Sequence, residues 1–353
     1  MTRAAVYQLF AQAMPSAYGI EKRGTPPCRA ACPLHVNAQG YVALISVGKF
    51  KEALELVKEK LPFPGILAYA CSHPCERECK RIEEDRPIPI CHLKRFLVDQ
   101  VGEPDIEFKP PEENGRKVAI IGSWPAGLMA AHDLRRMGYA VTLFEAKDKM
   151  GGLLTDGFPS YRLPQKVIEK DLSIIGKMGI ELHLNTRVGK ASAGALLQAF
   201  DAVFVAPGIA GAGSILKAFK GLKGTRWGTI LTDPITLQTN LNQVFAGGDG
   251  VTGPGTIVEY MAHGRRAAIS IDRFLRGEDM TQDRESEGSR MSPLGTDLPY
   301  SDRRERETPP DMVKPLDTGL TLEEAIEEAK RCLQCGGCSE CMECVKADRK
   351  SVV

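Results

Sequence analysis

The sequence predicts an α/β fold in which a doubly wound, Rossmann-like domain lies between a helical amino-terminal domain and a short carboxy-terminal tail. Two observations predict this arrangement. The eleven cysteines form two groups, six from Cys28 to Cys91 and five from Cys332 to Cys344, with none between the groups. From residue 117 onward, apolar stretches of strand length alternate with stretches of helical periodicity, which is the pattern of a parallel sheet covered by helices.

Composition excludes several classes of protein. The chain of 353 residues is 43% hydrophobic and 26% charged, as globular proteins are. Its 46 basic and 45 acidic residues leave a net charge of +1, so no overall field favours nucleic acid or an anionic membrane. Neither a signal peptide nor a membrane span is recognisable. We therefore expect a cytoplasmic protein without membrane insertion, whose cysteines serve metal or redox chemistry rather than disulfides.

The first domain is predicted over residues 1–102. Apolar residues recur at helical spacing from 37 to 61, and Gly48 marks a turn between two helices. Residues 103–116 are rich in proline and charge and are predicted to be a linker.

The second domain is predicted over residues 117–277. It opens with the strand "KVAII", a helix from Pro125 to the C-capping Gly138, and the strand "AVTLFEA". Further strands are expected at "GIELHL", "AVFVA", "GTILT" and "QVFAGG", before a long final helix. Residues 278–318 are predicted to be an extended linker. In the tail, 319–353, a helix capped by Thr321 and Glu324 is expected to end at Cys332.

The tail sequence "CLQCGGCSECMEC" predicts a ferredoxin-like iron–sulfur site. It spaces Cys332, Cys335, Cys338, Cys341 and Cys344 with two residues in each interval, as in C-x-x-C runs whose thiolates bind the irons of a cubane. The alternatives fit the spacing less well. A zinc ribbon needs two separated C-x-x-C pairs, and a redox dithiol needs only one such pair. Asp348 stands where a ferredoxin would place its closing cysteine, so the sequence leaves open whether this run completes a cluster of its own.

The amino-terminal cysteines also predict iron–sulfur ligation. Six are available: Cys28, Cys32, Cys71, Cys75, Cys79 and Cys91. Six suffice for one complete [4Fe-4S] cluster with two to spare, or for a second cluster finished by another ligand. We expect the complete site to use Cys28, Cys32, Cys79 and Cys91, and the chain to hold one or two [4Fe-4S] clusters. The alternative is a set of buried structural thiols.

The segment "VAIIGSWPAG" resembles a dinucleotide-binding turn with one position changed. Gly122 and Gly127 match the first and third glycines of G-x-G-x-x-G, but Trp124 stands at the middle position, where glycine lets the backbone approach a pyrophosphate. The indole either points away from a ligand or blocks it, and the sequence alone does not decide between these two.

Four segments carry a family resemblance: "PPCRAACP", "CSHPCEREC", "GGLLTDGFPSYRLP" and "NQVFAGGDGVTGPGTIVEYMAHGRRAA". From Cys28 to Gly277 the chain resembles the small subunit of NADPH-dependent glutamate synthase and the amino-terminal region of dihydropyrimidine dehydrogenase. The tail is similar to those of flavin and iron–sulfur subunits of multi-enzyme redox complexes, including heterodisulfide-reductase-like ones.

This resemblance implies FAD as a cofactor. Gly122 and Gly127 would form the pyrophosphate turn, and Glu145 would accept hydrogen bonds from the adenine ribose. Gly151 and Gly152 would pass close to the cofactor. Asp249 would hold its ribityl or pyrophosphate part, and Thr256 would cap a helix that faces the flavin ring.

One departure from the family concerns its inserted NADPH-binding domain. Gly228 follows Gly208 by only 20 positions, whereas a single βαβ unit needs about 30 residues or more. We infer that the inserted domain is absent. We interpret "IAGAGSILKAFKGLKGTRW" as the loop that closes the gap, and the "GIAGAG" at its start as a linker.

These observations favour an electron-transfer subunit of a larger redox complex, which relays electrons between flavin, [4Fe-4S] clusters and partner proteins such as a ferredoxin. No catalytic residue is identified. One alternative is a flavin-free iron–sulfur scaffold in which Trp124 has closed the cofactor site. Another is an NADPH-dependent oxidoreductase like the glutamate synthase small subunit, which the missing domain disfavours.

Overall fold

The computed structural model describes residues 24–101, 110–284, 287–288 and 319–336. These residues form two compact units. The first, the amino-terminal unit, comprises the described residues up to Pro64, from His73 to 101 and from 319 to 336. The second, the Rossmann-like unit, comprises Gly65–Ser72 and the described residues from 110 to 288.

Short helices build the amino-terminal unit. They are α1 (Pro27–Ala31), α2 (Ala38–Ser46), α3 (Phe50–Lys60), α4 (Pro64–Ala70), α5 (Pro74–Arg77) and α6 (Ile90–Gln100), with a 3-10 turn at Lys80–Glu83. All but the first residue of α4 group with the other unit. Asn37 caps α2 by accepting a 3.0 Å hydrogen bond from the Gly40 amide, and Gly48, at a φ of +75°, allows the turn into α3. The helical character and the turn predicted for this domain are confirmed.

The tail contributes to the amino-terminal unit. Helix α14 (Leu322–Lys330) packs against α2, with Ala325 and Ala329 fully buried. Its predicted cap is present: the Thr321 hydroxyl accepts from the Glu324 amide at 3.2 Å, and the Thr321 amide donates to the Glu324 carboxylate at 2.8 Å. The described part of the tail is therefore built onto the helices of the first domain.

The Rossmann-like unit contains a five-stranded parallel sheet in the order β3-β2-β1-β4-β5. Its strands are β1 (Lys117–Ile121), β2 (Ala140–Phe144), β3 (Glu181–His183), β4 (Ala202–Val205) and β5 (Val244–Ala246). The chain reverses its direction of strand addition between β1 and β4. In doubly wound sheets ligands bind at such a switch point, beyond the carboxyl ends of the strands. The predicted fold class is confirmed.

Helices cover this sheet and connect its strands. They are α7 (Pro125–Arg136), α8 (Leu153–Asp156), α9 (Gln165–Lys177), α10 (Lys190–Ala199), α11 (Ile209–Ala218), α12 (Asp249–Thr252) and α13 (Ile257–Arg276). Helices α7 and α13 pack closely because Gly264 has no Cβ: a Cβ there would lie 2.1 Å from the Ala126 carbonyl oxygen. In the part of the chain that the structure describes, no helix is long and apolar enough to cross a membrane.

Two predictions for this unit are wrong. The segment "GTILT" forms no strand, since Ile230 makes only an isolated antiparallel bridge to Gly224. The segment after Gly208 is not a loop, because α11 occupies it. Ala212, Ile215 and Ala218 are buried along one side of that helix and pack into the core beside β4. This three-residue spacing gives α11 a buried apolar side, whose packing stabilises the helix. The glycines in the segment obscured that helical pattern in the sequence.

Candidate functional site

Four cysteines from both ends of the chain surround one cavity in the amino-terminal unit. Cys28 lies in α1, Cys79 precedes the 3-10 turn, and Cys332 and Cys335 follow α14. Most of the other wall residues are apolar: Pro26, Pro27, Ala38, Val42, Ile88, Ile90 and Leu333. The polar residues Gln39, Glu78, Lys80 and Arg81 also line the cavity. A cavity walled by thiols and apolar groups has the donor set of an iron–sulfur cluster, because soft thiolates are its ligands.

The electrostatics show that these cysteines are close neighbours. Burial, and then the neighbouring Cys332, Cys79 and Cys335, raise the pKa of the Cys28 thiol well above its usual value. Burial also raises the pKa of Cys79, although the Ile88 amide donates a 3.5 Å hydrogen bond to its Sγ and opposes the shift. Four crowded thiols favour a bound cation, which removes the repulsion between their thiolates.

Hydrogen bonds and close packing hold the tail against this cavity. The Gly336 amide donates a 2.7 Å hydrogen bond to the buried Gln39 side chain. A Cβ at Gly336 would lie 2.9 Å from Cδ of Pro26, so only glycine allows this approach. Arg331 donates at 2.8 Å to both the Asp85 carboxylate and the Arg86 carbonyl. These contacts place Cys332 and Cys335 within the amino-terminal unit.

A second group of cysteines lies around Tyr41, whose hydroxyl donates a 3.0 Å hydrogen bond to the Ile90 carbonyl. Burial, followed by Cys75, Cys91, Cys28 and Cys32, raises the pKa of Tyr41 well above its usual value. Three of these cysteines, Cys32, Cys75 and Cys91, do not line the four-cysteine cavity. Among the described residues no three potential ligands converge on a single metal ion.

The structure separates the ligands that were expected to form the complete site. Cys28 and Cys79 lie with the two tail cysteines, whereas Cys32 and Cys91 do not line their cavity. The expected ligand set of Cys28, Cys32, Cys79 and Cys91 therefore stays a prediction, and the packing of α14 brings two tail cysteines to the cavity that it did not include. Cys71 follows α4 in the segment that groups with the other unit. Cys338, Cys341, Cys344 and Asp348 lie outside the described residues.

The Rossmann-like unit holds a second cavity, of about 390 Å³, at the switch point of its sheet. It lies beyond β1, β2 and β4, and the first turn of α11 forms part of its wall. Gly122 belongs to this wall; a Cβ there would lie 2.2 Å from the Ala206 carbonyl oxygen. Gly127 is equally constrained, since its Cβ would lie 2.0 Å from the Gly122 carbonyl oxygen. The first and third glycines of the turn therefore have the tight packing that the motif requires.

Glu145 sits at the cavity in a fixed orientation. The amide and hydroxyl of Ser123 donate to its Oε2 at 2.9 and 2.5 Å, and the Lys147 amide donates to its Oε1 at 2.9 Å. The Ser123 hydroxyl also accepts a 3.0 Å hydrogen bond from the Gly151 amide. A carboxylate has about four acceptor positions, and these contacts use three, so one is available to a ribose hydroxyl.

The indole of Trp124 occupies the region where a dinucleotide would continue. Its Cε3 lies 3.0 Å from where a Cβ of Gly152 would be, and its Cδ1 lies 3.7 Å from that of Gly248. Its ring centroid lies 6.3 Å from that of Tyr260, in the first turn of α13. The side chain is 8% exposed. The bulky residue thus points toward the predicted cofactor glycines and not away from them.

The remaining predicted cofactor residues include Asp249, whose Oδ1 lies 3.9 Å from where a Cβ of Gly208 would be, at the start of α11. Asp249 is buried at the start of α12, and its Oδ1 has no hydrogen-bond partner among the described residues. Burial raises its pKa, opposed by the backbone N–H of Ile209 first, then those of Asp249 and Gly250, and last by the Trp124 indole. Thr256 caps α13 in a capping box with Glu259, as predicted. The Trp124 indole thus fills the space beside Gly152 and Gly248, two glycines of the predicted cofactor site and its surroundings, so an intact FAD does not fit this arrangement.

No second nucleotide-binding domain lies between β4 and β5. Residues 206–243, all of them described, contain α11 and isolated bridges but no further strand. This agrees with the inferred loss of an inserted NADPH domain.

Sequence reasoning missed two features of these sites. Ser123, which orients Glu145, was visible as the residue after the first glycine of the turn. The number of cysteines could have indicated that tail and amino-terminal cysteines share a site. The six amino-terminal cysteines together with Cys332 and Cys335 make the eight ligands that two all-cysteine clusters require.

Comparisons with known proteins confirm the resemblance drawn from the sequence. Residues 10–106 match the family model described as dihydropyrimidine dehydrogenase domain II, 4Fe-4S cluster. Residues 120–176 match the NAD(P)-binding Rossmann-like domain. Each model covers well under half of the chain, so each match concerns one domain.

Curated relatives include three redox subunits. The beta subunit of NADP(+)-dependent formate dehydrogenase from Moorella thermoacetica is 36% identical over 52% of this chain and 30% of its own length. The beta subunit of NADPH-Fe(3+) oxidoreductase from Geobacter sulfurreducens is 38% identical over 52% of this chain and 28% of its own. The small chain of glutamate synthase [NADPH] from Bacillus subtilis is 32% identical over 61% and 46%. The chain thus spans less than half the length of each.

Proposed function

We propose that this chain is an iron–sulfur electron-transfer subunit of a larger redox complex. The observation that carries the proposal is the cavity at which Cys28, Cys79, Cys332 and Cys335 meet. The domain match to a 4Fe-4S family and the redox complexes named for the relatives support it. The partners would be other redox subunits of such a complex or a ferredoxin.

We assign Cys28, Cys79, Cys332 and Cys335 to one [4Fe-4S] cluster. A second cluster would draw on Cys32, Cys75 and Cys91 around Tyr41. A bound [4Fe-4S] cluster supplies one-electron transfer. The chain's own contribution is to hold four thiols in apolar surroundings, exclude water with Pro26, Ile88 and Leu333, and direct the Ile88 amide at the Cys79 sulfur.

The experiment that tests the assignment measures iron and acid-labile sulfide per chain after anaerobic purification. The double variant C332S/C335S is expected to lose about four irons per chain and the matching electron paramagnetic resonance signal of the reduced protein. The variant C28S should lose the same signal, because all three cysteines serve one cluster. K330Q changes an exposed residue of the same tail and serves as the control. Full iron in C332S/C335S would refute the assignment.

Two candidates for the Rossmann-like unit follow from the sequence: an FAD site that relays electrons to the clusters, and a flavin-free domain. FAD binding requires the Trp124 indole to leave the space beside Gly152 and Gly248. Its buried position favours the flavin-free candidate. Acid release of flavin from the purified protein distinguishes them: about one flavin per chain would support the relay, whereas iron without flavin would support the flavin-free electron-transfer subunit.

A further inference from the structure

We propose that a basic surface around Trp227 is the docking site for an acidic electron-carrier protein. This basic surface is formed by Lys217, Lys220, Lys223, Arg226 and Trp227, all of which are exposed. The proposal rests on the proposed electron-transfer function. Its residues lie in the Rossmann-like unit, however, whereas the assigned cluster ligands belong to the amino-terminal unit, so the two can be tested separately.

Trp227 is exposed to an unusual degree for its size. It is 77% exposed, the highest value among the large hydrophobic residues that the structure describes. Leu231, also exposed, lies opposite Lys223, since the Leu231 amide donates a 3.0 Å hydrogen bond to the Lys223 carbonyl. Tryptophan is highly buried on average and is enriched among the residues that dominate binding energy at protein interfaces. The indole is therefore the apolar centre that a partner would cover.

An ordered turn presents this indole. The Thr225 amide donates a 2.8 Å hydrogen bond to the Thr229 carbonyl, and the hydroxyl oxygens of the two threonines lie 2.8 Å apart. The Ile230 amide donates at 2.8 Å to the Gly250 carbonyl and so attaches the turn to α12. A surface that is already ordered loses less conformational entropy when a partner binds.

The charges beside the indole are all of one sign. Residues 202–232 contain the four basic residues of this surface and no aspartate or glutamate, although the whole chain carries a net charge of only +1. Within the described part of the chain, none of the four forms an ion pair. The guanidinium carbon of Arg226 lies 4.6 Å from the ring centroid of Trp227, in a cation–π contact. Such a local positive field attracts and orients a surface rich in carboxylates.

The combination fits a protein better than a nucleic acid. A protein that binds DNA tightly contacts about 6–10 phosphates, whereas this surface offers four charges on a chain that is nearly neutral. Tryptophan and arginine are enriched at the centres of protein interfaces, and lysines suit the polar rim. A carrier with carboxylates around an apolar patch would match both the basic residues and the indole.

The test is isothermal titration calorimetry of the full-length, anaerobically purified protein with an acidic ferredoxin as the probe. We expect one ferredoxin per chain at low ionic strength, and at least about tenfold weaker binding at about 0.15 M, where charges are screened beyond about 8 Å. The variant K220E/K223E should weaken binding at least about tenfold at low ionic strength. W227A should weaken it by a similar factor at both ionic strengths, because salt does not screen apolar contacts.

The variant K166E/K170E is the matched control, since it makes the same change in net charge at exposed residues of α9. It should bind ferredoxin as the wild type does at about 0.15 M ionic strength. Circular dichroism and iron content check that each variant is folded. Equal weakening by both double variants, no binding of ferredoxin at low ionic strength, or tighter binding of a DNA oligonucleotide than of ferredoxin would overturn the proposal. Full iron in C332S/C335S would refute the cluster assignment and leave the docking result unchanged.

Discussion

At the scale of single residues, Gly264 allows two helices of the Rossmann-like unit to approach each other closely. Its missing Cβ lets α13 lie against the Ala126 carbonyl of α7, where a Cβ would come within 2.1 Å. Overpacking of this kind costs about 1–3 kcal/mol, and backbone atoms cannot rotate away. We expect G264A to lower the free energy of unfolding by at least that amount, measured by urea denaturation. G176A, in α9 with open space around its Cα, should be neutral or stabilising by up to about 1 kcal/mol.

Asp133 in α7 is held in its charged form by two neighbours. Its Oδ2 accepts a 2.9 Å hydrogen bond from Arg265 Nε, and its Oδ1 lies 2.7 Å from His132 Nδ1. Burial raises the pKa of this carboxyl, but Arg265 and His132 outweigh burial and lower it from 3.8 to about 2. A lowered pKa stabilises the folded state above the unfolded value, and this stability is lost as pH falls toward the folded value.

The variant D133N tests this ion pair. At pH 7 it should lower the free energy of unfolding by about 2 kcal/mol, less than the roughly 3–5 kcal/mol of fully buried pairs because Arg265 keeps contact with solvent. The deficit should shrink between pH 4 and pH 2, where wild-type Asp133 becomes protonated. Trp124 and Trp227 both lie in this unit, so tryptophan fluorescence reports its unfolding. A deficit independent of pH would contradict the assigned cause.

At the scale of elements, the cap of α14 controls the position of two cluster cysteines. Replacing an N-cap threonine by alanine costs about 1 kcal/mol. In α14 this cost falls on the helix that leads to Cys332 and Cys335. We expect T321A to lose its iron to a chelator severalfold faster than the wild type, measured by the decay of visible absorbance. T321S keeps the hydroxyl and should behave as the wild type does; equal loss from both variants would show that the cap is irrelevant.

The elements that the sequence predicted correctly have strong local patterns. Helix α13 has a capping box at Thr256, an apolar face and a terminal Gly277, so every local preference agrees with the fold. Helix α11 was missed because its glycines resemble a linker and its buried side, at Ala212 and Ile215, is short. The strand expected at "GTILT" is the opposite case, because it was predicted but does not form. Its apolar residues alternate as in a strand, but the only bridge there is the isolated one at Ile230, beside a turn.

The candidate sites depend on tertiary contacts that local sequence patterns do not predict. The spacing of the cysteines identified iron–sulfur chemistry, but it could not show which cysteines share a cavity, because the packing of α14 on α2 joins residues some 300 positions apart. The direction of the Trp124 side chain was likewise a tertiary property. It depends on the space beside Gly152 and Gly248, two segments distant in sequence from the turn.

At the scale of the whole molecule, the assigned cluster would join the two ends of the chain within one unit. Helix α14 has nine residues, too few to be stable alone in water, since isolated helices below about 12–15 residues are marginal. Its stability must come from packing on α2 and from the contacts of Arg331 and Gly336, and in the proposed assignment also from metal at Cys332 and Cys335. Metal that binds only the folded arrangement stabilises that arrangement.

Removal of iron should therefore loosen α14 before the rest of the protein. After chelation under reducing conditions, we expect the amides of Leu322–Lys330 to exchange with deuterium at least tenfold faster than in the iron-loaded protein. Amides of Ile257–Arg276 provide the internal control, because α13 belongs to the Rossmann-like unit. Reconstitution with iron and sulfide should restore the protection of α14. If protection in α14 is the same with and without iron, packing alone holds the tail, and the cluster does not join the two ends.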